Sequence, residues 1–181
     1  ISLFAGSRES EIKIHAPILF EFINKFNSKE NNFNFVFHSI DKYKVYLNNL
    51  LVKQNIYNAE VISDDKIKNA ILKKSKFAIV KSGTVSIEVS KLNIPSIIIY
   101  KMNFINYFLA KLFLKIKFAN MLNIINNREI IPELIQKDCN SNEIFKYVYY
   151  LLKKPELIDK QILEVKAAIN DLKSSSSSSE E

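Results

Sequence analysis

Apolar positions along the chain come in two rhythms that alternate. The opening residues 1–5 are apolar apart from Ser2 and read as a strand. From Glu9, the residues Ile12, Ala16, Leu19, Phe20, Ile23 and Phe26 recur at helical spacing, with Glu9 and Glu11 at the positive end of the dipole. Pro17 inside that pattern predicts a kink or a restart. After a polar break at 27–32, residues 33–38 predict a second strand, and Asp41 stands where it would cap a helix over 42–53. A short strand over 59–62 follows. Ser63-Asp64-Asp65 then signals the start of a helix reaching about 74. Residues 77–80 and 96–100 are near-continuous apolar runs, as expected of strands covered on both faces, with a helix over 84–92 between them. Strands separated by helical runs predict βα units, a parallel sheet, and a doubly wound α/β fold with helices on both faces.

Past residue 103 the rhythm changes. Residues 104–118 are strongly apolar with lysines interleaved, and are too short and interrupted to span a bilayer, which takes about 20 apolar residues. Three readings fit this segment: an amphipathic stretch lying on an anionic membrane, a core helix with snorkelling lysines, or a base-stacking surface. Its aromatics follow helical rather than platform spacing, so no nucleic-acid partner is expected. Asn126-Asn127-Arg128-Glu129 breaks the chain before a short helix. Ser141 or Asn142 opens another helix to Leu152, and Pro155 a last one to about 172. The folded unit is thus expected over 1–172, with a low-complexity Ser/Glu tail over 173–181 expected to be disordered.

Composition sharpens this in three places. The net charge of +7 favours an anionic partner without choosing among them. The single cysteine, Cys139, excludes an intramolecular disulfide. Neither it nor His15 and His38 stands at metal-ligand spacing, so no metal site is expected. The first residues look like a strand entered partway, and a preceding segment is expected.

The chain's two glycines both follow a strand and precede a helix, beside small hydroxyl residues: Gly6-Ser7-Arg8 and Ser82-Gly83-Thr84. The first N–H groups of a helix lack internal partners, so such turns suit phosphate. They equally suit an ordinary glycine turn with a threonine cap. Glu88 lies four residues beyond Thr84 on the same helix face, where it could hold a ribose diol or simply complement the helix dipole. Arg8 adds a permanently charged fork suited to a diphosphate. Ligands of doubly wound sheets bind outside the carboxyl ends of the strands, where both turns lie, so the pair favours a nucleotide diphosphate. Neither turn is a dinucleotide fingerprint or a Walker loop.

Several stretches resemble lipid-A-disaccharide synthases. Leu3-Phe4-Ala5-Gly6-Ser7-Arg8-Glu9-Ser10-Glu11 is similar to the family's LPGSR-x-x-E stretch, with Ala5 in place of proline. Residues 75–88, ending Lys81-Ser82-Gly83-Thr84-Val85-Ser86-Ile87-Glu88, resemble its SD-x-A-x-x-x-SGT-x-x-LE stretch. Ile94-Pro95-Ser96-Ile97-Ile98-Ile99-Tyr100-Lys101-Met102 is similar to its P-x-V-V-x-Y-K/R-x segment. Leu109-Ala110-Lys111, the stretch from Asn120 to Ile125 and that from Arg128 to Gln136 follow its later order. Leu122 stands where the family's LPN motif has proline, a change expected to bear on the loop holding Asn123.

The resemblance implies the C-terminal, nucleotide-sugar-binding half of a GT-B fold. It implies transfer of 2,3-diacylglucosamine from UDP-2,3-diacylglucosamine to 2,3-diacylglucosamine 1-phosphate, with inversion and without a metal or other cofactor. It implies a peripheral protein on the cytoplasmic side of the bacterial inner membrane, in contact with its anionic surface. By this carry-over Gly6, Ser7, Arg8, Ser82, Gly83 and Thr84 line the diphosphate, and Glu88 holds the ribose. Asn123 and Arg128 are further candidates. No catalytic residue is expected in this chain, because the base would sit in an N-terminal half that the activity requires. The alternatives are a non-catalytic membrane-surface or interaction module and an inactive remnant of a split gene.

Overall fold

The computed structural model describes residues 1–102 and 117–177. Six strands, β1 (Ser2–Phe4), β2 (Phe35–His38), β3 (Ala59–Ile62), β4 (Ala78–Lys81), β5 (Ser96–Tyr100) and β6 (Glu133–Ile135), form one sheet in the order β3-β2-β1-β4-β5-β6. Every neighbouring pair is parallel, and β1 pairs with β4 through Ser2↔Ala78, Leu3↔Ile79 and Phe4↔Val80. Seven helices accompany them among the described residues: α1 (Glu9–Asn27), α2 (Asp41–Lys53), α3 (Asp65–Lys74), α4 (Val85–Lys91), α5 (Met121–Asn126), α6 (Ser141–Leu152) and α7 (Pro155–Ser177). The strand order reverses direction between β1 and β4, where such sheets open a crevice at their carboxyl ends.

Period-two alternation sends neighbouring strand residues to opposite faces. Leu3, Ile79, Ile97, Ile99, Phe35 and Phe37 pack with buried residues of α1, α2 and α6. Phe4, Ala78, Val80 and Ile98 pack on the other face with Leu72 of α3, Val89 of α4, Leu122 of α5, and Val165 and Ala168 of α7. Both faces are therefore dry, as the apolar runs of β4 and β5 predict.

Four expectations are corrected. Helix α1 runs unbroken through Pro17, which sits on its exposed face. The carbonyl that proline leaves without its helical partner lies one turn back, at exposed Lys13, where water can satisfy it. The short helix expected beyond Glu129 is instead strand β6. Ile130, Ile131, Leu134 and Ile135 mimic helical spacing, but Pro132 interrupts the run and its carbonyl accepts from the Ile98 N–H at 2.9 Å. The last helix continues to Ser177, beyond the boundary expected at Leu172, because extending an established helix by serines costs only a few tenths of a kcal/mol per residue, ~0.5. Asp41 is the first residue of α2, preceded by Ile40 at the cap position. Residues 103–116, which hold most of the lysine-interleaved apolar segment, lie outside the described residues.

Candidate active site

Both glycine turns leave the sheet at its carboxyl edge on adjacent strands, Gly6 two residues beyond β1 and Gly83 two beyond β4. They meet in a cleft of about 340 Å³ whose walls include Phe4, Gly6, Ser7 and Arg8 on one side of the chain order, and Lys81, Ser82, Gly83 and Thr84 on the other.

At the first turn two backbone donors are already used. Glu11 Oε2 accepts from the Ser7 N–H at 3.0 Å and from the Arg8 N–H at 3.3 Å. Its other oxygen takes a salt bridge from Lys81 Nζ at 2.8 Å. Gly6 is required here: its φ is +114°, and a Cβ would stand 2.5 Å from Glu11 Oε2 and 2.6 Å from Glu11 Cβ. Burial alone would raise the Glu11 carboxyl. The hydrogen bonds from Lys81, Ser7 and Arg8, with the lysine charge, together hold it below the ordinary carboxylate range. The turn is thus a carboxylate-capped loop that aims Arg8 outward, with its Ser7 and Arg8 N–H groups taken by Glu11. The sequence signal was a glutamate three residues after the helix-capping position, the spacing of a capping box. The Arg8 side chain is 82% exposed, with Glu11 Oε1 3.8 Å from its nearest nitrogen.

At the second turn the donors divide. Ser82 donates its N–H to the Ile99 carbonyl at 3.1 Å and its hydroxyl to the Ala119 carbonyl at 2.6 Å, so it shapes the turn and has no proton left for a ligand. The Gly83 carbonyl accepts from the Ser86 hydroxyl at 2.6 Å. Among the described residues nothing accepts from the Gly83 N–H or from the Thr84 hydroxyl, which makes no side-chain cap to α4. A Cβ at Gly83 would meet only the Lys81 carbonyl, at 3.9 Å.

Glu88 is not among the residues that line the cleft; it takes a salt bridge at 2.6 Å from Lys68 of α3, which does line it. Asn123 and Arg128 do not line it. Asn123 is fully buried, and its side chain makes four hydrogen bonds. Its amide donates to the Ile131 carbonyl and to Glu133 Oε1, both at 2.7 Å, and its oxygen accepts from the Ile130 and Ile131 N–H groups at 2.8 and 3.0 Å. Leu122, in place of the family's proline, donates its N–H to Asn120 Oδ1 at 2.9 Å and buries its side chain, so the loop keeps a regular helix start. Arg128 pairs with Glu164 of α7 at 2.9 Å.

Lys68, Lys81, His38 and Ser39 are cleft residues that sequence reasoning missed. Lys81 had a signal, as the strand-ending residue directly before Ser82; the others arrive through long-range packing. His15 is a structural link: its Nε2 accepts from the Lys101 N–H at 3.0 Å, so Nδ1–H donates to the Glu11 carbonyl at 2.8 Å, and burial lowers the ring's pKa. Burial likewise pushes the Cys139 thiol up to about 11.

Burial, then the charge of Lys68, lowers His38 to about 4 from an ordinary 6.5. Between those values the unfolded chain binds a proton that the folded chain refuses, so stability falls as pH drops from 6.5 to about 4. The expected loss is about 2–3 kcal/mol, since a tenfold change in proton affinity is worth about 1.4 kcal/mol. Denaturant titrations across this range should show that slope in the wild type and a much flatter one in His38→Phe.

A parallel sheet in this order, with its cleft at the β1/β4 switch point, defines the chain as a Rossmann-like α/β domain of the kind found in GT-B-like proteins. Solved structures agree at the level of fold. A putative UDP-N-acetylglucosamine 2-epimerase from Listeria monocytogenes matches with a TM-score of 0.62 at 13% identity, over 89% of this chain and 38% of that one. The UDP-GlcNAc 2-epimerase from Neisseria meningitidis, bound to UDP-GlcNAc, matches with a TM-score of 0.56 at 14% identity, over the same shares of the two chains.

The chain belongs to the lipid-A-disaccharide synthetase family, a family of glycosyltransferases, whose model matches residues 1–181. The lipid-A-disaccharide synthase of Rickettsia bellii (strain OSU 85-389) is 32% identical over 168 residues, covering 92% of this chain and 43% of the relative. Lipid-A-disaccharide synthase 1 of Legionella pneumophila (strain Lens) is 32% identical over 178 residues, covering 94% and 44%. The chain therefore spans less than half the length of these relatives. Among the described residues no helix is long and apolar enough to cross a membrane.

Proposed function

We propose that this chain supplies the donor site of a lipid-A-disaccharide synthase, binding the UDP part of UDP-2,3-diacylglucosamine. The observation that carries the reading is the meeting of both glycine turns in one cleft at the β1/β4 switch point, with Arg8 and Lys81 as cations. Arg8, the Gly83 backbone and the Thr84 hydroxyl would hold the diphosphate, with Gly6 and Ser7 forming the turn that aims Arg8. Gly83 suits a close approach of phosphate, because its Cβ position faces open space. Glu88 would exchange its bond to Lys68 for the ribose hydroxyls.

In the transfer, the acceptor 2,3-diacylglucosamine 1-phosphate displaces UDP with inversion. Arg8 and the turn's donors stabilise the charge that develops on the departing diphosphate. The base that deprotonates the acceptor would come from the part of the family's length that these residues do not span, and the chain alone is expected to turn over no substrate. Its setting would be the cytoplasmic side of the inner membrane, held there peripherally where the lipid substrates lie.

Calorimetric titration with UDP tests the reading. The chain should bind UDP, and Arg8→Ala should weaken binding by about 1.5–3 kcal/mol, the scale of a hydrogen bond to a charged group. Glu88→Ala should weaken it as well. A folded chain that takes up no UDP heat would overturn the proposal.

A further inference from the structure

His38 and Ser39 end β2 and line the same cleft. A chain of hydroxyls fixes the proton on His38. Ser75 donates its hydroxyl to the Ile71 carbonyl at 3.1 Å. Its only hydroxyl proton is then spent, so the 2.7 Å contact between Ser2 and Ser75 takes its proton from Ser2. Ser2 in turn has none left for His38, and the 2.8 Å contact between Ser2 Oγ and His38 Nε2 requires the histidine to donate. A neutral imidazole protonated at Nε2 carries a bare lone pair at Nδ1. The ring is held neutral at pH 7 by its burial, and it lies stacked on Phe4, with centroids 4.4 Å apart and planes 8° from parallel.

That lone pair is unanswered. His38 is 7% exposed, its Nδ1 is buried, and among the described residues nothing donates to it. The Ser39 hydroxyl is buried without a partner as well. Leaving a buried polar atom unpaired is costly, because it gives up its bond to water without a replacement. Two further such atoms, on Ser90 and Asn120, lie away from the cleft walls, whereas these two are sequence neighbours on one wall.

We propose that His38 Nδ1 and Ser39 Oγ form a subsite that recognises a neutral hydrogen-donating group of the bound nucleotide, the imidazole accepting from it and the serine hydroxyl bonding the polar atom beside it. The inference rests on the reading of the cleft as a UDP site. A bare lone pair repels phosphate oxygens, which carry lone pairs of their own. Arg8, Lys68 and Lys81 attract them. The subsite therefore orients the ligand, leaving the diphosphate at the glycine turns and bringing a neutral N–H or O–H to the end of β2. UDP carries two such groups, the imide N–H of the base and the ribose hydroxyls.

The test is calorimetric titration of the wild type, His38→Phe and Ser39→Ala with UDP, 3-methyl-UDP and 2′-deoxy-UDP. Phenylalanine keeps the ring on Phe4 and removes the acceptor. Each variant should bind UDP roughly three- to tenfold more weakly, the scale of one neutral hydrogen bond. One analogue should bind the wild type more weakly than UDP does, yet bind His38→Phe no more weakly than UDP does. A vanishing 3-methyl penalty places the base imide at the subsite, and a vanishing deoxy penalty places the ribose there. Ser39→Ala carries the same comparison if His38→Phe fails to fold. Variants that bind UDP as the wild type does, or analogue penalties equal in wild type and variants, would overturn the subsite and leave the UDP reading standing. A wild type that binds no UDP would remove both.

Discussion

Asn123→Ala is expected to lower the unfolding free energy by about 3–5 kcal/mol, because it strands several buried polar groups at once. The Ile130 and Ile131 N–H groups lose their acceptor, and the Ile131 carbonyl loses its donor. Glu133 loses one of the donors to its carboxylate, which also accepts from the Ala119 and Asn120 N–H groups at 2.6 and 2.9 Å. The Ala119 carbonyl is in turn the acceptor for Ser82, so the loosening should reach the second glycine turn. Asn123→Asp is a demanding control: it keeps the acceptor for both N–H groups but sets an oxygen against Glu133 Oε1. Denaturant unfolding followed by circular dichroism should place both variants well below the wild type. An Asn123→Ala chain of wild-type stability would show that these bonds are dispensable.

Gly6→Ala is the second large effect. A non-glycine residue at φ +114° is strained, and the new Cβ would sit 2.5 Å from Glu11 Oε2. Glu11 cannot retreat without releasing the Ser7 and Arg8 N–H groups and Lys81. The cost is expected at about 2–4 kcal/mol, and UDP affinity should fall with it, because Arg8 loses its support. Gly83→Ala provides the contrast. Its φ of +158° also strains a side chain, but its Cβ meets nothing nearer than 3.9 Å, so the loss should lack the clash that Gly6 adds and be smaller, while a methyl group facing the proposed phosphate should still weaken UDP binding. Equal stability losses at the two glycines would contradict this division between a structural and a ligand-facing glycine. Thermal unfolding and UDP titration on the same samples measure both halves.

Much of this fold is written locally. The apolar runs of β4 and β5, the cap at Asp64 and the glycine turns each announce themselves within a few residues, and the alternation of strand and helix then dictates a parallel sheet. β6 was hidden because three residues after a proline carry too little pattern to outweigh an apparent helical spacing. Pro17 was misleading because its penalty depends on which face it occupies, and that face is solvent.

The candidate site divides in the same way. The glycines, Arg8 and Thr84 were legible as residue types at a strand-to-helix turn. Glu11 was visible as a first-turn acid, but not as the carboxylate that takes the Ser7 and Arg8 N–H groups. The hydroxyl of Ser82 looked available until Ala119, distant in sequence, claimed its proton. Asn123 and Arg128 were candidates by resemblance, and their contacts are structural, with Asn123 in a buried loop and Arg128 in an ion pair with α7. The state of His38 was beyond local reading altogether, since it is set by hydroxyls on β1 and after α3.

The central claim is that two turns separated by the whole β1–β4 crossover act as one diphosphate site. Amide chemical shifts recorded while UDP is added to the chain test it most directly. The account predicts saturable shifts at Gly6, Ser7 and Arg8 together with Gly83, Thr84 and Val85, all following one binding curve. Shifts confined to a single turn, or saturable shifts that bypass both, would contradict it.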